Sequence, residues 1–322
     1  MLPWSDTLVV ALVALAADAL IGDPDWLWRR LAHPVVVIGR AIAALDREFN
    51  RATWSPARRR FAGVAAISLL VGASLVLGLL VEAALPRGIA GNVVLGLLAS
   101  SLIAQKSLYQ HVARVRAAFA GGGLGAARDS VGMIVGRDPQ SLDEGGICRA
   151  AIESCAENFS DGVVAPVFWL TLLGLPGLIA YKTINTADSM IGHRSETYRD
   201  FGRAAARLDD VVNLIPARLA ALLLALAAPV ARGSIGAALR IMWRDARKHR
   251  SPNAGWPESA MAGALGVVLA GPRRYAEGVV DDPYLNADGR AATPDDIRRA
   301  LRMLVAACAI EFAIYAVVAL AF

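Results

Sequence analysis

The 322-residue chain is poor in charge: Asp, Glu, Lys and Arg make up 19% of it, below the roughly 25% usual in soluble domains. Other scarcities exclude more. The 3 cysteines, Cys148, Cys155 and Cys308, are odd in number and follow no metal-binding spacing, which argues against a disulfide framework or a thiolate zinc site. Cys148 and Cys155, a heptad apart on a predicted helix, read as small buried side chains suited to a reduced compartment. No G-x-G-x-x-G follows a strand, and Gly121-Gly122-Gly123 lacks the Lys-Ser/Thr of a phosphate-cradling loop. That triplet reads as a turn between helices, and any nucleotide site is of another kind. Basic residues do not alternate with aromatics, so the net charge of +5 is membrane-orienting and implies no nucleic-acid partner.

What is present is apolar. Hydrophobic residues reach 56% and mean hydropathy +0.47, pointing to an all-α, polytopic integral membrane protein in one domain spanning 1–322. Apolar runs at 7–21, 61–85, 89–104, 163–180, 214–231 and 301–322 give five or six membrane-embedded helices; 259–270 is too short to span comfortably. Runs 61–85 and 89–104, joined by Pro86-Arg87-Gly88, form a hairpin. Pro166 and Gly174-Leu175-Pro176-Gly177 make 163–180 a kinked or re-entrant element. The arginines of 29–60 place that segment in the cytoplasm, which predicts an inner-membrane protein whose polar loops 22–60, 105–162, 181–213 and 240–258 form a cytoplasm-facing site. The basic stretch 240–250 fits this topology poorly. The segment 281–296 reads as a polar surface loop, and Glu82 and Glu311 as acids that snorkel or pair.

Two polar clusters flank the 163–180 run, and polar groups kept beside a membrane segment usually do chemistry or bind something. In the first, Ser141 and Glu144 fit a capping box, and Arg149, Glu153, Glu157 and Asp161 recur at four-residue steps on one helical face next to Asn158. Acids so spaced repel unless a cation sits among them, so Glu153, Glu157 and Asp161 are candidate Mg²⁺ ligands. The second cluster holds Lys182, Asn185, Asp188, His193 and Arg194. Asp188 suits a metal or the orienting of His193, while Lys182 and Arg194 suit phosphate oxygens. Asp209 and Asp210 add an acidic pair at a membrane boundary, equally explicable as helix N-terminal charge. Two stiff polar loops, one with Asp23 and His33, the other with Asn253, Trp256 and Glu258, are candidate substrate contacts or simple helix caps.

At these residues the chain resembles the cobalamin-biosynthesis family of adenosylcobinamide-phosphate synthases, membrane proteins called CobD or CbiB. The blocks that carry the resemblance are DALIGDPDWLWRRLAHPVVVIGR, VGMIVGRDPQSLDEGGICRAAIESCAENFSDGVVAPVFW, AYKTINTADSMIGHRSETYRDFGRAAARLDDVVNLIPARL, RSPNAGWPESAMAGALGV and GPRRY, in that order. The resemblance implies an amide ligase using ATP and Mg²⁺. It would join adenosylcobyric acid to (R)-1-aminopropan-2-ol phosphate, or to aminopropanol, with other corrinoid-pathway enzymes as possible partners beside membrane lipid. It brings no residue roles, so these follow from chemistry. A carboxylate needs activation before an amine attacks it; Mg²⁺ on Glu153, Glu157, Asp161 and Asp188, with Arg137, Arg149, Lys182 and Arg194, would offset phosphoryl charge, and His193 or a carboxylate of raised pKa would deprotonate the amine. The alternative is a corrinoid-binding transporter or scaffold, for which Asp18, Glu82 and Glu311 would lie in mid-membrane.

Overall fold

The computed structural model describes residues 4–136, 138–193, 195–275 and 278–321. It is 77% helical with almost no strand. In chain order the helices are α1 (Trp4–Leu20), α2 (Asp25–Trp28), α3 (Pro34–Phe49), α4 (Pro56–Ala84), α5 (Ile89–Ser100), α6 (Gln105–Gly132), α7 (Glu144–Phe159), α8 (Ala165–Ile191), α9 (Arg203–Val212), α10 (Leu214–Ala227), α11 (Ile235–Asp245), α12 (Gly255–Leu265) and α13 (Pro294–Ala321). Among the described residues, five helical stretches are long and apolar enough to cross a membrane: Pro56–Ala84, Ile89–Gly132, Glu144–Ile191, Leu214–Ala231 and Pro294–Ala321. The expected anchor at 7–21 forms the 17-residue α1, which is not among them.

The chain folds as two compact units. The first comprises Met1–Ala104, Ala165–Asn213 and Tyr315–Phe322; the second comprises Gln105–Val164 and Leu214–Ile314.

In the first unit the expected break in 163–180 is a kink inside α8. Gly174 takes φ 70°, ψ −161°, a conformation open to glycine but strained for other residues, and Pro176 has no N–H to give. The freed Leu175 N–H donates to Glu82 Oε1 at 3.0 Å, so this apolar-helix acid serves the backbone of its neighbour. A Cβ on Gly174 would collide with that same carboxylate oxygen. Thr7 Oγ1 donating to Thr171 O (2.8 Å) and Trp169 Nε1 donating to Val212 O (3.1 Å) tie the first half of α8 to α1 and α9. Below them, Ile42, Ala62, Ala66, Ile67, Ala187, Ile191, Phe201 and Ala205 pack as one apolar core. The loop after α8 is held from α3 and α4: Asn50 Nδ2 donates to Thr197 O (3.1 Å), Arg59 donates to Asn50 Oδ1 and to the same carbonyl, and Arg60 Nε meets Asp200 at 2.7 Å.

In the second unit all eleven residues of α12 are buried. It packs against α10 and α11 through small side chains such as Ala217, Ala220, Ala221, Ala238, Ala260 and Ala264, which let helix backbones approach closely. Two antiparallel pairs follow: β1 (Leu269–Ala270) with β4 (Tyr284–Leu285), and β2 (Arg273–Tyr275) with β3 (Gly278–Val280). The polar loop expected on the surface at 281–296 is exposed at most of its positions and is anchored through a few buried ones. Asn286 Nδ2 donates to Val267 O (3.1 Å), Asn286 N donates to Asp245 Oδ2 (2.7 Å), and the buried Asp296 accepts from Arg290, Arg299 and Thr293. Its polarity serves both hydration and internal hydrogen bonding, which hydropathy alone cannot distinguish. The Ser141/Glu144 capping box is replaced. A 3₁₀ turn over Pro139–Ser141 directs Ser141 Oγ to Asp138 O, and Asp143 caps α7 by accepting from Gly146 N at 2.7 Å. Glu311, in α13, is buried, and neither carboxylate oxygen finds a hydrogen bond among the described residues.

Candidate active site

In the first unit the C-terminal half of α8 and the helix α9 bring together much of the second cluster. Lys182, Asn185 and Asp188 lie one turn apart along α8 and are half-buried. Asp209, on α9, is 9% exposed; its Oδ2 accepts from Asn213 Nδ2 at 3.0 Å and its Oδ1 from Asn185 Nδ2 at 3.5 Å. Tyr181 Oη donates to Asn213 Oδ1 at 3.0 Å, which fixes the amide so that its NH₂ faces the carboxylate. Burial disfavours the charge on Asp209, and the nearby Asp188 and Asp210 carboxylates add repulsion. The two amides offset only part of this, so its pKa rises from 3.8 to about 7.

Asp210 is half-buried beside it, and Asp188 is close enough to both Asp210 and His193 for their charges to interact. His193 is exposed on the loop that follows α8. Gly192 N donates to Asp188 O at 2.7 Å, and a Cβ at Gly192 would strike the Asp188 carboxylate, so a residue without a side chain is needed for this close return. Asp23 and His33 are engaged with each other: His33 Nδ1 accepts from Val35 N as the cap of α3, which leaves Nε2–H facing Asp23 Oδ1 at 3.2 Å.

In the second unit the four-residue row on α7 is interrupted. Arg149, Glu153 and Glu157 lie on α7, and Asp161 falls in the π-turn Ser160–Val164 that follows it. Glu153 is buried and accepts from Ala270 N at 2.6 Å, tying α7 to β1. Glu157 is exposed, Asp161 half-buried, and Asn158 folds back onto Ser154 O at 2.9 Å. Arg149 lies 5.9 Å from the Tyr284 ring centroid. In the other loop Asn253, Trp256 and Glu258 are all buried; Glu258 Oε1 is 3.9 Å from His249 Nε2. Among the described residues no three His, Cys, Asp or Glu side chains group closely enough to hold a metal ion by themselves. Arg137 and Arg194 lie outside the described residues.

Residues 11–304 match the family described as CobD/Cbib protein. The chain belongs to that family. It is 49% identical to the cobalamin biosynthesis protein CobD of Rhizobium meliloti (strain 1021), over 98% of both chains. It is 54% identical to the CobD protein of Brucella suis biovar 1 (strain 1330) over 91% of both, and 50% identical to that of Rhodobacter capsulatus over 90% of both. No solved structure matches. Every candidate site residue falls within the stretch matched by the CobD/Cbib family. Sequence reasoning passed over Tyr181 and Asn213, although the Asp209–Asn213 spacing of one helical turn was a usable signal. It also passed over His249, whose partner Glu258 stands on the helix that follows, and Arg218, whose partner Trp256 lies far along the chain and leaves no local pattern.

Proposed function

We propose that this protein is an ATP-dependent amide ligase of cobalamin biosynthesis, joining a propionate carboxylate of adenosylcobyric acid to (R)-1-aminopropan-2-ol phosphate, or to aminopropanol. Near end-to-end similarity to proteins named for cobalamin biosynthesis supports the pathway. The observation that carries the reaction class is the setting of Asp209, a buried carboxylate held by the Asn185 and Asn213 amides, with Tyr181 fixing Asn213, and pushed up from the usual carboxylate range by burial.

Amide formation from an activated carboxylate requires a free amine, and the amine substrate arrives as an ammonium. A base matched to neutral pH accepts that proton most effectively. Transfer of the terminal phosphoryl group of ATP to the substrate carboxylate gives an acyl phosphate and ADP; Asp209 takes the proton from the ammonium, the amine lone pair attacks the acyl carbon, and the acyl C–O bond breaks to release phosphate as the C–N bond forms. Tyr181 and Asn213 hold the carboxylate in place, and the second proton lost on amide formation passes to His193 or solvent. Mg²⁺, when bound, neutralises charge on the phosphoryl group in transfer. The residues fit such an ion in one respect: they offer oxygen donors singly or in pairs, such as Asp188 and Asp210, and Mg²⁺ commonly takes one or two carboxylates with the rest of its shell from water and substrate phosphate. Lys182 supplies positive charge for the same phosphate. Within the second unit, Glu157 on α7 and Asp161 in the π-turn after it are separate metal candidates. We place the reaction on the cytoplasmic side of the inner membrane, where ATP is available and the arginine-rich 29–60 segment resides.

The test is direct. Purified protein given ATP, Mg²⁺, adenosylcobyric acid and aminopropanol phosphate should form the amide and consume ATP in equal amounts. Absence of amide with either amine, by a preparation that is folded, would refute the ligase reading.

A further inference from the structure

In the second unit the buried Asp245 receives Arg244 and Lys248, and the buried Asp296 receives Arg290 and Arg299. Arg218, on α10, is half-buried and has no carboxylate partner among the described residues. Its guanidinium carbon lies 4.5 Å from the centroid of the buried Trp256 ring, which Trp243 braces edge-on at 5.2 Å. Its Nη1 donates to Leu214 O at 2.6 Å and lies 3.4 Å from Asn253 Oδ1. One nitrogen and one face of the group are therefore fixed. The remaining donors, Nε–H and the two Nη2–H, have no acceptor and no carboxylate partner among the described residues. Nε and Nη2 form the edge of an arginine that binds carboxylate or phosphate through two parallel hydrogen bonds. Arg247, also without an acidic partner among the described residues, is close enough to add its positive charge. Two unneutralised guanidinium groups repel, yet an aromatic stack, a backbone carbonyl and a side-chain amide oxygen hold one of them still; an anion between them removes the repulsion.

We propose that Arg218 and Arg247, backed by Trp256 and Asn253, form a phosphate-binding site. The ligand is a phosphate group bearing at least two free oxygens, held by the Nε/Nη2 edge of Arg218. This deepens the ligase reading, on which the naming of a phosphorylated substrate rests, although binding itself can be measured without turnover. The site lies at the first turn of a candidate membrane stretch, so a lipid phosphate offers the same chemistry as a soluble one.

The full chain, in nanodiscs of zwitterionic lipid, is titrated calorimetrically with inorganic phosphate and with pyrophosphate. The expected result is binding that weakens about tenfold or more in Arg218→Gln and less in Arg218→Lys, which keeps the charge but loses the fork. Trp256→Phe should weaken it too, and Arg247→Gln by a smaller factor. If neither anion binds, the same variants are compared in nanodiscs with and without anionic phospholipid; an Arg218-dependent rise in thermal stability assigns the site to lipid phosphate. Equal behaviour of wild type, Arg218→Lys and Arg218→Gln in both formats overturns the proposal. Should binding depend on Arg218 in a protein that makes no amide, the site stands and the ligase reading falls; amide formation with Arg218-independent binding gives the reverse.

Discussion

Asp209 in the first unit and Asp245 in the second are both buried aspartates on short helices, and they end in opposite electrostatic states. Burial opposes the charge of each. Around Asp245, the Arg244 guanidinium at 2.9 Å, the Lys248 ammonium at 2.7 Å and the Asn286 N–H at 2.7 Å more than compensate, and its pKa falls to about 2. Around Asp209 stand two amides and two further aspartates, so its pKa climbs to about 7. Burial raises both carboxylates, and the neighbours decide whether that rise is reversed, as at Asp245, or left standing, as at Asp209.

The comparison breaks most sharply under substitution. Asp209→Asn should lower kcat by about 10²–10⁴-fold, the usual worth of a general base, with little loss of stability because the amide resembles the protonated acid in size and charge. A stability loss with normal turnover would make Asp209 a second Asp245. Asp245→Asn should behave in the opposite way, costing about 3 kcal/mol in thermal or denaturant unfolding as its paired cations and the Asn286 N–H lose their anion. An unshifted unfolding midpoint would remove the anchor role.

A smaller effect separates the two by pH. Asp209 has a folded pKa above its ordinary 3.8, so between about pH 4 and 7 the folded chain holds a proton that the unfolded chain has lost; its contribution therefore falls as pH rises through that window. Asp245, with a folded pKa of about 2, contributes above its ordinary value and loses that contribution as pH drops from about 4 to 2. Unfolding followed across pH should show the high-pH decline vanish in Asp209→Asn and the low-pH decline vanish in Asp245→Asn. The rising limb of kcat/KM near pH 7 should disappear with the first variant and persist in the second.

The smallest expected change tests whether the first unit also uses an acid structurally. Glu82→Leu leaves the Leu175 N–H unpaired at the kink and should cost about 1–3 kcal/mol, and Glu82→Gln, which retains an acceptor, less than half of that. Equal losses for the two would mean that the hydrogen bond does not matter to the kink.

Much of this was legible in the chain. The apolar runs and the Gly174-Leu175-Pro176 break announce membrane helices and a kink, because helix length, glycine freedom and the missing proline N–H are local properties. The blocks around Glu153, Asp188, Asp209 and Trp256 likewise reveal the family without coordinates. Roles within the clusters were less legible. Glu153 looked like a metal ligand on an acidic face, yet one of its oxygens receives Ala270 N–H from 117 residues away. Asp161 falls not on α7 but in the π-turn Ser160–Val164 after it, a break that four-residue spacing does not announce. Arg218 carried no sequence signal, since its indole partner arrives from α12.

The sequence by itself determined that this chain is helical, apolar, broken at Gly174 and a member of its family, because each rests on composition, local backbone preference or ordered blocks of residues. Only the tertiary structure decided which buried acids are neutralised, which retains a proton near neutrality and which arginine is left with an open edge. Those properties arise from charges and dipoles within a few ångströms in space, and chain order does not record that distance.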